Sequence, residues 1–214
     1  MNSFSSFDLI MQLLPIVAGM LSICFIFGLL FYRVVMYCSI ICFICLLFLL
    51  RNPERACNAI VVNPLAMVAP ADGKIVAITH APDNSLDGYC YKVSIVTSFF
   101  DAHINRIMSR GVIQQVAYNR FCLIPYWSHE PVYNDIVVVN EYDCMYKIRH
   151  VSKMLGAYAA CWVKENDPVH TGQSYGLQLL CSRCDIFMPS NVSLCIGIGQ
   201  HVYAGSTPIG YWLV

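Results

Sequence analysis

Two long apolar runs open the chain, and short alternating runs come after them. Between Leu9 and Leu50 the only formally charged residue is Arg33, which divides the stretch Leu9–Tyr32 from Val34–Leu50. A helix rises about 1.5 Å per residue, so the first run is long enough for a hydrocarbon core of about 30 Å and the second nearly so. A cleaved signal peptide is the alternative. The leading MNSFSSFD carries no Lys or Arg, the apolar region is long, and no small-residue cleavage site stands out, so a retained membrane segment is the expectation for residues 1–50. It can be two helices in a hairpin with Arg33 near the turn, or one span plus an interfacial helix. Arg51 and Arg55 in RNPER flank its end, and positive residues there favour a cytoplasmic position for the C-terminal domain.

After a linker at 51–66, punctuated by Pro53, Asn58, Asn63 and Pro64, the pattern changes to short β runs. KIVAI, YKVSIVT, GVIQQVAY, DIVVVNEY, MYKIRHV, ACWVKE, GLQLL, CDIFM and SLCIGI are strand-like, with turn signals at Ala71-Asp72-Gly73, Asp87-Gly88 and Pro189-Ser190-Asn191. Ser98–Met108 can carry a helical turn. The sequence therefore predicts a mainly β domain at 67–214, a sandwich or partly closed barrel, behind an α-helical anchor. A short internal echo links Asp167–Gly172 with Gly199–Gly205. Both share a turn-Val-x-x-Gly pattern, as in the hairpins of barrel-sandwich carrier domains. A carrier needs a lysine at a hairpin tip, and Lys164, the nearby candidate, lacks the expected hydrophobic flanks.

Composition sharpens this picture. Apolar residues make up 57% of the 214-residue chain, charged residues 12%, and the formal net charge is zero, so nothing points to a nucleic-acid surface, which needs a basic stripe. Twelve cysteines fall at no framework spacing, as suits buried thiols in a reducing compartment.

Three constellations can carry chemistry. Cys181 and Cys184 form a CxxC, but a zinc site needs about four ligands, and the other CxxC, Cys42 and Cys45, lies in the apolar segment. With a period of two, Cys181 and Arg183 face one side and Ser182 and Cys184 the other, so the two thiols diverge. Pro70–Gly73, PADG, is a turn whose Asp72 can orient or polarise a partner. Ser98–Arg106, SFFDAHINR, packs Asp101, His103 and Arg106 together, and His103 is the best-placed general acid or base. The histidines at 80, 129, 150, 170 and 201 read as solvated or structural. No phosphate-binding glycine loop or HExxH is present.

Taken together, these pieces resemble phosphatidylserine decarboxylase, in its short bacterial and archaeal proenzyme form. LRNPER at 50–55 is similar to the family's FRDPER, APADGKIV at 69–76 to SPADGxV, and SFFDAHINR to SPFDVHVNR. Trp162–Pro189 resembles WVKxGDxVxxGxxFGLIRFGSRVDxxLP, and IGQHVYAGSTPIG at 198–210 resembles VGQxVxAGxTxIA. The resemblance runs from about Arg51 to the C-terminus.

The resemblance implies a self-processing enzyme. Cleavage between Cys181 and Ser182 begins with attack of the serine hydroxyl on the preceding carbonyl to give an ester; elimination releases the β chain 1–181 and leaves a dehydroalanine, which water hydrolyses with loss of ammonia to an α chain 182–214 headed by a pyruvoyl group. That ketone forms a Schiff base with phosphatidylserine and takes up electrons as CO2 leaves, yielding phosphatidylethanolamine. His103 is the expected proton shuttle, Asp72 assists cleavage, and Asp101 and Arg106 complete the site. No metal is implied. The implied partners are phosphatidylserine in the membrane and the two chains of the same proenzyme, with a homo-oligomer left open. The implied location is the inner cell membrane, with the domain on its cytoplasmic side.

Two departures stand out. Cys181 replaces the family's glycine before the serine, where glycine permits strain and close approach. Gly156-Ala-Tyr-Ala-Ala160 replaces Ala-Arg-Arg-Ile-Val. The longer family members also have a second histidine where Arg106 stands, which leaves open the group that deprotonates Ser182. Gly205-Ser206-Thr207 resembles their LGST, a rival site that register places one strand pair too late. The competing functions are an uncleaved lipid-binding homologue, a tethered barrel-sandwich carrier or adaptor, and a zinc or redox protein.

Overall fold

A computed structural model describes residues 6–30, 32–55, 63–83, 88–119, 132–152, 158–179 and 183–213. The chain divides into two compact units, Met1–Leu50 and Arg51–Val214. In the first, the apolar runs form α1 (Ser6–Leu30) and α2 (Val34–Leu49), with Arg33 in the turn between them. Leu14, Ile23 and Phe25 on α1 and Tyr37, Ile41 and Ile44 on α2 are exposed. Among the described residues no helix is long and apolar enough to cross a membrane. The spanning segment expected within residues 1–50 is thus not supported by the described helices.

Every regular element described in the second unit is a β-strand. Its main sheet runs β13 (His201–Val202), β2 (Gly73–Asp83), β3 (Gly88–Val96), β11 (Arg183–Pro189), β7 (Met145–Ser152), β6 (Val132–Asn140), β5 (Gly111–Asn119) and β9 (Pro168–Val169). Every pairing is antiparallel. Two three-stranded sheets accompany it. One is β1 (Ala66–Val68), β14 (Pro208–Trp212) and β12 (Val192–Leu194); the other is β4 (Ile104–Arg106), β10 (Ser174–Leu179) and β8 (Tyr158–Cys161).

Alternation along the strands sets the core. One rung of the main sheet carries Val93, Ile186, Ile148 and Ile136 side by side, all fully buried. Each such side chain contributes roughly 2 kcal/mol by leaving water. On the opposite face the neighbouring rung carries Ser94, Asp185, Arg149 and Asp135.

The echo seen in the sequence has a structural counterpart. β9 and β13 are two-residue strands at opposite edges of the main sheet, and each is followed by a glycine at positive φ, Gly172 at 77° and Gly205 at 73°. Each docks against a hairpin whose first strand has a register shift, at Ile75/Ala77 in β2 and Ile113/Gln115 in β5. Ile75 donates to the Gln200 carbonyl at 2.9 Å, and Ile113 donates to that of Asp167 at 3.0 Å. The domain is therefore built from two similar halves. The helical turn expected over Ser98–Met108 is instead a bend followed by β4, because residues 104–106 find backbone partners in β10. Of SLCIGI only Ser193 and Leu194 are strand, in β12 (Val192–Leu194).

Tyr146 ties β7 to the segment before β5. Its hydroxyl donates to the Ser109 carbonyl at 2.6 Å and accepts from the Ser109 N–H at 3.2 Å, in full burial. Tyr146→Phe leaves both backbone groups without that partner, at an expected cost of about 1–3 kcal/mol. Urea denaturation measures it; an unchanged midpoint contradicts the assignment.

Candidate active site

Asp72 is buried at the PADG turn. The turn needs its glycine, since a Cβ on Gly73 would lie 2.3 Å from the Val96 carbonyl oxygen. The Asp72 carboxylate accepts four hydrogen bonds. Arg55 donates two, from Nη1 to Oδ1 and from Nη2 to Oδ2 at 2.7 Å. The Ala204 N–H donates to Oδ1 at 2.7 Å and the Ala102 N–H to Oδ2 at 3.3 Å. The backbone carbonyl of Asp72 also accepts from Thr97 Oγ1 at 2.9 Å. Burial alone would push the carboxyl pKa up, but the Arg55 hydrogen bond, the two N–H groups and the Arg55 charge outweigh it, and the net shift is downward. With its acceptor positions filled, Asp72 orients; its bond to Ala102 fixes the residue that precedes His103.

His103 is buried, and its Nδ1 has no hydrogen-bond partner among the described residues. Burial lowers its pKa below the ordinary value. The nearby Asp101 carbonyl and the charges of Asp101 and Asp72 act the other way without cancelling the effect. The His103 backbone carbonyl accepts from the Gln178 N–H at 3.0 Å. His103 is therefore tied to the end of β10, the strand that leads into the CSRC segment.

Asp101 and Arg106 sit close in sequence to His103 but hold other things. Asp101 accepts from the Ser98 N–H at 2.7 Å, and its Oδ1 lies 3.3 Å from His201 Nε2. Arg106 donates to the Gly172 carbonyl at 2.9 Å, Asn52 Oδ1 at 2.8 Å and the Pro53 carbonyl at 2.9 Å. A Cβ on Gly205 would lie 2.6 Å from Arg106 Cδ, so this side chain fills the space between the two repeated turns. Arg106 thus docks the linker. Arg55 does the same from the linker's side. The sequence reads it as a membrane flank; its place in LRNPER is the signal that it belongs to the site.

Leu180, Cys181 and Ser182 lie outside the described residues, and so do Gly156 and Ala157. The chain leaves β10 at Leu179 in one three-stranded sheet and begins β11 at Arg183 in the main sheet. Arg183 pairs with Val151, and Cys184 with His150 and Ile95. Cys184 is buried, with Sγ 3.8 Å from His150 Nε2. Burial brings the His150 pKa down to about 3 despite the charge of Asp185, so this histidine is structural and neutral. Among the described residues no group of three or more His, Cys, Asp and Glu side chains can hold a metal ion. Ser206 lies in the turn before β14, where its N–H donates to the Tyr203 carbonyl at 3.1 Å. Lys164 donates its backbone N–H to Asp167 Oδ2 at 2.8 Å.

Comparison with known proteins adds a family. The family model described as phosphatidylserine decarboxylase matches residues 44–210. Proteins named phosphatidylserine decarboxylase proenzyme are similar along most of their length. The one from Desulfotalea psychrophila is 29% identical, covering 81% of this chain and 85% of its own. That from Syntrophus aciditrophicus is 30% identical, covering 75% and 76%. That from Geotalea uraniireducens is 28% identical, covering 91% of each. No solved structure gives a significant match.

The Asp72 clamp sets a pH dependence. The folded pKa of Asp72 lies below the ordinary 3.8, so its contribution to stability is complete above that value and is lost as pH falls through the folded one. Asp72→Asn leaves Arg55 without its charge partner and is expected to cost on the order of 3 kcal/mol at neutral pH. Denaturation of both proteins from neutral pH into acid should show the gap closing. A gap that stays constant contradicts the clamp.

Proposed function

This chain belongs to the phosphatidylserine decarboxylase family, and on that footing we propose that it removes the carboxylate of phosphatidylserine with a pyruvoyl group made from its own Ser182. The observation that carries the reading is the buried His103. Its Nδ1 has no hydrogen-bond partner among the described residues, and its backbone carbonyl accepts from Gln178 in β10, the strand that ends three residues before Ser182 in the chain.

A pyruvoyl group at residue 182 supplies a ketone that takes up the substrate amine and accepts electrons as CO2 leaves. The surroundings suit such a group. His103 is neutral near pH 7, because burial lowers its pKa, and its Nδ1 is available to take or return a proton at a reacting atom. Asp72, held ionised by Arg55, fixes Ala102 and with it the backbone that carries His103. Arg106 and Arg55 hold residues 52–55 and the turn at 203–205 together, so the linker forms one wall of the Asp72 site. Cleavage before Ser182 divides the chain between β10 and β11. The two products stay joined through the pairing of β11 with β3 and β7.

The substrate is a lipid, and the first unit suits a lipid surface. α1 and α2 expose apolar side chains on several sides and enclose an apolar hollow of about 290 Å³ lined by residues including Leu21, Phe25, Ile40 and Phe43. On this ground we propose that the first unit works at a membrane surface. A second reading, an uncleaved lipid-binding homologue, is favoured by Cys181 standing where the family has glycine.

Release of CO2 from phosphatidylserine vesicles tests the proposal. His103→Asn should lower the rate by about 10²–10⁴-fold. In the unsubstituted protein the rate should fall on the acid side only below the ordinary histidine value of 6.5, where His103 becomes protonated. An acid limb above that value, or an unaffected His103→Asn variant, contradicts the role of His103. Intact mass separates the second reading: a single full-length species, under conditions in which Cys181→Gly splits, would establish it.

A further inference from the structure

The face of the main sheet turned away from the hydrophobic core carries a second polar site. A cavity of about 400 Å³ opens over β5, β6 and β7, lined among others by Gln115, Tyr133, Asp135, Lys147, Arg149 and Val151. That is room for a small organic ion rather than a lone water. The cavity follows the strand register. Tyr133 pairs with Val151, Asp135 with Arg149, and Val137 with Lys147 on successive positions of β6 and β7. Asp135 and Lys147 are thus diagonal neighbours on one face, with Cβ atoms roughly 7 Å apart.

The chemistry of this cavity is zwitterionic. Arg149 places both Nε, at 2.8 Å, and Nη2, at 2.6 Å, on the same oxygen of Asp135, Oδ2. Oδ1 is left without a hydrogen-bond partner among the described residues, on a side chain that is 9% exposed as a residue. An unpartnered carboxylate oxygen that deeply buried is costly, and a ligand donor relieves the cost. Lys147 is only 7% exposed, with Nζ 5.6 Å from the centre of the Phe187 ring. A buried ammonium and a guanidinium beside it suit an anion. The cavity therefore presents an acceptor for a cation and donors for an anion a few ångströms apart.

We propose that this cavity binds a phosphate ester bearing a primary ammonium two carbons away, the ammonium on Asp135 Oδ1 and the phosphate on Lys147 and Arg149. The choice of ligand rests on the proposed function, since substrate and product headgroups both have this chemistry; the site itself does not. A primary ammonium supplies three N–H donors for Oδ1. A trimethylated one supplies none, so the site separates the two. The far rung of the cavity, at Val151, is paired with Arg183, the residue that follows Ser182. A headgroup held here lies on the strand next to the start of the proposed α chain.

Equilibrium binding to the full chain tests this, with ethanolamine phosphate as the soluble probe. Vesicles of phosphatidylethanolamine or of phosphatidylcholine are the lipid probes. All measurements are made in the Ser182→Ala background, which cannot process, so failure of the decarboxylase reading does not enter. Saturable binding of ethanolamine phosphate is expected, weakened tenfold or more by Asp135→Asn and by Lys147→Met. Inorganic phosphate should lose affinity in Lys147→Met and much less in Asp135→Asn. Circular dichroism melts confirm that each variant folds; if Asp135→Asn does not, Lys147→Met and the contrast between phosphate and ethanolamine phosphate carry the test. Preference for phosphatidylethanolamine over phosphatidylcholine vesicles makes the ligand a lipid headgroup. Binding of the soluble probe without that preference makes it a free phosphate ester. Affinity unchanged in the folded variants, or no saturable binding of either form, overturns the site.

Discussion

One buried carboxylate joins four distant parts of this chain. Asp72 accepts from Arg55 in the linker, from Ala102 beside His103 and from Ala204 near the C-terminus, while its own backbone begins the β2–β3 hairpin. Bringing positions 55, 72, 102 and 204 to one point costs loop-closure entropy, and a charge-assisted cluster in low dielectric offsets it better than neutral contacts would. The ion pair is not an isolated surface bridge, since Asp72 is 1% exposed. Removing either partner leaves a charge uncompensated, so the linker, the loop at 98–103 and the C-terminal turn are expected to fail together.

The two-fold repetition of the domain explains why the clamp lies where it does. β9 and β13 occupy matching edges, and Gly172 and Gly205 make matching turns, with the Arg106 side chain between them. β10 and β14 are the central strands of the two small sheets. β10 hands the chain to β11 in the main sheet, the crossing that carries the Cys181–Ser182 bond. A bond cut at a crossing separates two strands that are each held by other partners, so cleavage need not unfold the domain.

Much of this was legible in the residues. Alternation located β2, β3, β5, β6, β7 and β11, because each has one face in the core and one outside it. The turn echo at 167–172 and 199–205 signalled the repeated halves. Ser98–Met108 misled because Phe99, Phe100 and Ile104 sit at helix-compatible spacing, while the partner that makes residues 104–106 a strand lies some seventy positions later in β10. Arg55 misled for a similar reason. Beside an apolar segment a basic residue reads as a membrane flank, and only tertiary structure supplies its partner Asp72. The outer cavity was invisible to periodicity altogether. Asp135 and Lys147 are polar positions of β6 and β7, and their burial comes from tertiary packing rather than from the local pattern.

The central claim is that the chemistry of the CSRC segment belongs to its serine and not to its cysteines. Mass spectrometry of the smaller chain from purified protein tests this most directly. The account predicts a fragment spanning 182–214, lighter than the serine-started peptide by one ammonia and reactive toward a carbonyl reagent at its first residue. A chain that remains whole, or a fragment that begins with an unmodified Ser182 or at Ser206, would contradict it.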